Sequence, residues 1–354
     1  MPHSTDQTPR RRRLGAALLL CASLLLCAAG LEALARGYWW LRAGVPPLAP
    51  GRLLEAAYPE LRPLHESPPT RGDATADILL LGGSVLHESW GQVEAQLLEQ
   101  LARAGRRDVR IHDLAEPAHT TRDSLEKYRA LGDARFDAVV VYHGINDARA
   151  NNAPPELFRD DYAHLPWYEL VNALATAGPG ARLALPATAR WLAARGRQAL
   201  LPDRYAGESR PRPEWLRYGA WPRSPAAFER NLEALLDLAA ARGERVVLAT
   251  FALHVPAGYS LDAFRRRALD YLLFYSPIEL WGERDHVVAA VAAHNAALRR
   301  LAASRPGVSL VDEDALMPRS ARTFNDVCHL TSEGSAEFAR HLVPALLALL
   351  PEPR

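Results

Sequence analysis

The chain has 354 residues, 49% of them hydrophobic and 23% charged, which is a globular composition and excludes a disordered or low-complexity protein. Its formal net charge of +1 gives no bias toward nucleic acid or an acidic partner, and no nucleic-acid partner is expected. Two of its three cysteines, Cys21 and Cys27, lie in one apolar stretch, so Cys328 is left alone and no internal disulfide is expected in the rest of the chain.

Arg10 to Arg13 precede an almost unbroken apolar run from Leu14 to Leu31, which continues past Glu32 to Ala35. About 20 apolar residues suffice to cross a bilayer, basic residues stay on the cytoplasmic side, and Tyr38, Trp39 and Trp40 sit where an interfacial aromatic belt would lie. The expectation is a cytoplasmic basic segment at 1–13, a transmembrane anchor at 14–36 and an extracytoplasmic, periplasmic remainder. A cleaved secretory signal is the competing reading, because Cys27-Ala28-Ala29 offers small residues after the apolar core. Residues 37–75, rich in Pro, Gly, Arg and Glu without periodicity, read as a linker.

From Ala76 the pattern becomes regular. Strand-like runs at Ile78 to Leu81, Val109 to Leu114, Ala138 to Tyr142, Val246 to Phe251 and Val308 to Val311 alternate with helical spacings such as Val93, Leu97, Leu98, Leu101 and Phe228, Leu232, Leu235, Leu236. Alternation of this kind predicts an α/β domain over 76–350, a five-stranded parallel sheet between two helical layers, with right-handed crossovers. Two stretches exceed a minimal α/β unit, about 150–224 and 256–285. Both are rich in aromatic residues, and both read as caps over a site.

Three short strings stand where strands end or the last helix begins: Gly82-Gly83-Ser84-Val85, Gly144-Ile145-Asn146-Asp147 and Asp326-Val327-Cys328-His329. The carboxyl edge of a parallel sheet is where they would converge. Ser84 is the candidate nucleophile, which needs a base to take its proton; His329 is that base, with Asp326 three residues earlier to fix its tautomer. Asn146 can aim a carboxamide at the oxyanion that the Ser84 N–H also approaches. Asp147 reads as a brace for this loop, and Cys328 as a buried apolar side chain. No P-loop, dinucleotide or Gly-x-Ser-x-Gly pattern appears, no metal cluster is evident, and no cofactor is expected.

These strings resemble the blocks of the SGNH (GDSL-type) hydrolases, over roughly Ala76 to Leu350. The resemblance implies a flavodoxin-like three-layer fold with Ser84 as the block I serine, Asn146 as the block III asparagine, and Asp326 with His329 as the block V pair. Gly83 departs from the aspartate of the Gly-Asp-Ser-Leu form. Aligning Asp113 to Ala118 with block II puts Ala118 at the oxyanion glycine, where a positive φ would cost it about 1 kcal/mol. Ser84, Ala118 and Asn146 are thus the expected oxyanion donors, supported by Gly83, Gly144 and Asp147. The implied activity is an esterase or deacylase acting on an ester-bearing small molecule, glycan or lipid, with O-acetylated envelope polysaccharide as the leading substrate. A lysophospholipase-like hydrolase, an O-acyltransferase and a non-catalytic glycan-binding or assembly protein are the alternatives.

Overall fold

In the computed structural model, residues 8–72, 74–207 and 211–352 are described, so the first seven residues of the expected basic segment lie outside the described residues. Helix α1 (Thr8–Ala43) holds the apolar stretch. Five strands follow: β1 (Ala76–Gly82), β2 (Val109–Asp113), β3 (Ala138–Tyr142), β4 (Arg245–Ala249) and β5 (Val308–Val311). They pair in parallel in the order β2-β1-β3-β4-β5, which is the flavodoxin-like order with its switch point between β1 and β3.

Alternation along β1 and β3 divides the core. Ile78, Leu80 and Val140 pack with α2 (Val93–Arg103) and with Phe338, Leu342 and Leu346 of the C-terminal helix, while Leu79, Leu81, Val139 and Val141 face the other layer. That layer contains α3 (Thr121–Ala130), α6 (Ser224–Ala241) and much of α7 (Arg284–Ser304), which supply Leu125, Phe228, Leu232 and Leu298. Strands buried on both faces are dominated by apolar residues, which is why β1 from Ile78 to Leu81 and the whole of β3 read as continuous apolar runs. The last helix, α8, spans Ser332–Leu349 and is capped by the Thr331 hydroxyl, which accepts from the Gly334 N–H at 2.9 Å.

Two expectations are corrected. The segment expected as a linker is mostly folded: short helices at Pro50–Ala56, Pro59–Leu61 and Arg62–Glu66 bury Leu53, Leu54, Tyr58, Leu61 and Leu64 in the same core as Leu79 and Leu81. Pro50, Pro59 and Pro63 are helix starters here, each at the first or second position, and not spacers. The first long insertion forms α4 (Pro166–Ala175) and α5 (Leu185–Leu200), and most of it packs beside the sheet and against α1 instead of covering the site.

Candidate active site

Ser84 leaves β1 through Gly82 and Gly83, and His329 sits on the loop before α8, 245 positions away in sequence. The two meet: Ser84 Oγ lies 2.8 Å from His329 Nε2, and His329 Nδ1 lies 2.7 Å from Asp326 Oδ2. A carboxylate only accepts, so Nδ1 carries the proton and Nε2 is the acceptor for the serine hydroxyl. Asp326 is held in turn by the backbone N–H groups of Cys328 and His329, at 2.9 and 2.8 Å on Oδ1, and of Ser276 at 2.9 Å on Oδ2. Asp326 and His329 are buried, whereas Ser84 keeps 9% of its surface. Cys328 is buried with its Sγ 3.7 Å from Nδ1, and burial pushes its thiol up, away from thiolate chemistry.

Asn146 arrives from the turn after β3, and its amide is oriented by neighbours on both ends. The Trp281 indole N–H donates to Oδ1 at 2.8 Å, which fixes the other end as nitrogen, and Nδ2 donates to the His119 carbonyl at 2.9 Å. One N–H of that nitrogen is left for a ligand. A Cβ built on Gly83 would stand 2.7 Å from Asn146 Nδ2, so the amide lies directly over the residue preceding the nucleophile. A side chain at position 83 would have to displace that amide. Gly144 is held by a similar approach, since a Cβ would meet Phe251 Cβ at 2.4 Å.

Ala118 adopts φ 69°, the left-handed conformation expected for a glycine position, in the loop between β2 and α3. With Asn146 it lines a cavity of ≈ 250 Å³, walled also by Pro117, His119, Leu165 and Trp167. Asp147, next in sequence to Asn146, is fully buried and accepts from the Thr121 hydroxyl at 2.6 Å and the Tyr162 hydroxyl at 2.9 Å; burial pushes its carboxyl up to about 7. Its position is that of the expected brace, tying the Asn146 turn to α3 and the first insertion.

Several residues here carry no signal in the sequence. Asp123, on the first turn of α3, collects the Tyr58 and Tyr168 hydroxyls and the Trp167 indole at 2.8, 2.6 and 2.8 Å. Burial alone would raise its carboxyl, yet the neighbouring His119 and these donors hold it at about 2, an ionised anchor under the cavity wall. His294 of α7 donates from Nδ1 to the Gly144 carbonyl at 3.0 Å and accepts from the Ser224 hydroxyl at 2.8 Å; burial lowers it to about 3, so it stays neutral. Trp90 stacks on the His329 ring at 4.5 Å. Each is a single aromatic, acidic or imidazole residue far in sequence from its partners, and no spacing rule brings such residues together.

A flavodoxin-like parallel sheet with a serine, histidine and aspartate in hydrogen-bonded sequence at its carboxyl edge, the last two on the loop before the final helix, is the arrangement that the resemblance to the SGNH hydrolases implies. Among solved structures the chain is similar to a GDSL-like lipase from Bacteroides thetaiotaomicron (12% identity, 82% of this chain and 97% of that one, TM-score 0.44). It is also similar to a lipase/acylhydrolase from Enterococcus faecalis (14% identity, 79% and 99%, TM-score 0.42) and to a carbohydrate esterase family 3 protein from Talaromyces cellulolyticus (11% identity, 78% and 98%, TM-score 0.42). No family model and no curated protein matches the chain.

Proposed function

We propose that the chain is a serine esterase that removes acyl groups from alcohols through an acyl-enzyme. Ser84 Oγ attacks the ester carbonyl while His329 Nε2 takes its proton, and Asp326 stabilises the imidazolium. The oxyanion is received by the N–H groups of Ser84 and Ala118 and by the free N–H of Asn146 Nδ2. Nε2 then hands its proton to the departing alcohol, and water, activated by the same nitrogen, releases the acid and restores Ser84. The observation that carries this reading is the unbroken path from Ser84 Oγ through the His329 ring to Asp326, at 2.8 and 2.7 Å. Ser84→Ala is expected to abolish hydrolysis of p-nitrophenyl acetate and labelling by a fluorophosphonate, with an unchanged Tm; undiminished turnover would overturn the assignment.

The same reading puts the site on the outer, periplasmic side of the membrane, held by an anchor. Arg13–Ala43 is long and apolar enough to cross a membrane, and its most apolar part is wholly exposed on the protein. The ~19 residues from Arg13 to Leu31 span roughly 28 Å, a bilayer core. Protein contacts begin at the next residue: Glu32 accepts from the Ala184 and Leu185 N–H groups at the start of α5, both at 2.8 Å. A membrane-impermeant fluorophosphonate should therefore label right-side-out vesicles; labelling only after permeabilisation would reverse the topology. An outward site on an anchor is suited to O-acetylated envelope polysaccharide.

A further inference from the structure

His329 Nε2 must protonate the departing alkoxide, so the alcohol half of the ester occupies the side of Ser84 where the imidazole stands. That side is aromatic. The Trp90 ring covers the His329 ring at 4.5 Å with 30° between planes, and the Tyr275 ring meets Trp90 edge-on at 5.8 Å and 84°. Tyr275 is 53% exposed, and Leu272 and Leu273 beside it in sequence are exposed too.

This rim is not a loose loop. Leu272 N–H donates to the Phe324 carbonyl at 3.1 Å, Leu273 and Phe274 N–H to the Asn325 carbonyl at 3.0 and 2.7 Å, and Ser276 N–H to Asp326 itself at 2.9 Å. The strand of backbone from Leu272 to Ser276 is thereby fixed to the loop that carries the catalytic pair, and Phe274 holds φ 62° to keep the register. Apolar side chains held rigidly in solvent at the mouth of a site call for a ligand to cover them.

We propose that Trp90 and Tyr275 form the leaving-alcohol subsite and that it takes a sugar ring, whose C–H face stacks on one aromatic plane while its edge abuts the other. The assignment rests on the esterase reading above and names its substrate class. A hydroxyl of the seated ring, once acylated, presents its ester oxygen to Nε2. The second insertion thus selects the alcohol, and the cavity beside Ala118 and Asn146 is left for the acyl part.

The test is titration calorimetry on the Ser84→Ala variant, which removes turnover, with methyl mono-O-acetylglucopyranoside and with lysophosphatidylcholine as probes. Adding Tyr275→Ala should weaken the sugar ester roughly fivefold or more, and Tyr275→Phe should restore it. An unchanged sugar Kd, no measurable sugar binding to the Ser84→Ala parent, or weakening confined to the lysolipid would overturn the subsite. Hydrolysis of p-nitrophenyl acetate by the wild type separates the two failures: with turnover present only the subsite falls, and with turnover absent the esterase reading falls and the leaving-alcohol role with it.

Discussion

Ala118 is the residue at which this chain departs furthest from the pattern it resembles. A left-handed alanine costs about 1–2 kcal/mol, and a glycine would lose about 0.5–1 kcal/mol more backbone entropy on folding, so the two choices nearly balance. The backbone N–H survives either way, which is why an alanine at this position is compatible with an oxyanion role. Ala118→Gly is therefore expected to keep esterase activity and to raise stability by about 0.5 kcal/mol, read from urea unfolding; a folded variant that loses turnover would contradict the donor role. Gly83 shows the opposite case, where the missing side chain is required because the Asn146 amide fills its place.

At the scale of elements, the second insertion contributes more to the site than its length announces. Between Tyr275 and Trp281 it touches the Trp90 ring over the imidazole, the Asp326 carboxylate and the Asn146 amide. The Trp281 indole, with the Arg149 guanidinium 5.3 Å from its ring centroid, fixes which end of the Asn146 amide is oxygen and which is nitrogen. Trp281→Phe removes that donor while keeping a ring, and a hydrogen bond of about 1 kcal/mol corresponds to a fall in kcat of roughly fivefold. KM should stay level, because the amide acts on the developing oxyanion, and the Trp281→Phe and Asn146→Ala effects should be non-additive. Additive losses, or a change in KM alone, would make Trp281 a packing residue. The first insertion plays a different part: among its described residues only Leu165, Trp167 and Tyr168 reach the cavity, and its long helices brace α1.

For the whole molecule, the joint between α1 and the domain is a packed interface. Trp39 of α1 is buried, donates its indole N–H to the Thr188 hydroxyl at 2.8 Å, and meets Trp191 of α5 edge-on at 5.2 Å. Arg36 adds bonds to the carbonyls of Pro47 and Arg182 at 2.9 and 2.6 Å. A flexible tether would leave these groups in solvent, so the domain is held at a set height and tilt relative to the helix that precedes it. Trp39→Ala should destabilise the detergent-solubilised full chain by about 3 kcal/mol, in the range for truncating a buried tryptophan. A loss below about 1 kcal/mol in urea unfolding would mean that α1 and the domain are independent.

Periodicity and turn chemistry are local, and they carried the fold. The five apolar runs became the five strands within a residue or two, and the last helix begins at Ser332 after the Thr331 cap. The three strings with their serine, asparagine and histidine were legible for the same reason: each is a strand or helix boundary where a short pattern dictates the turn. The folded state of residues 50–66 was not legible, because prolines and glutamates look alike in a tether and in short helices until a hydrophobic face finds a partner. Nor were the Trp281 bond to Asn146, the Trp90 cover on His329, or the aromatic shell around Asp123, each joining segments tens to hundreds of residues apart. Such contacts depend on where the packed layers bring side chains in space, and that is settled by the tertiary fold because no short-range rule in the chain encodes the distance between them.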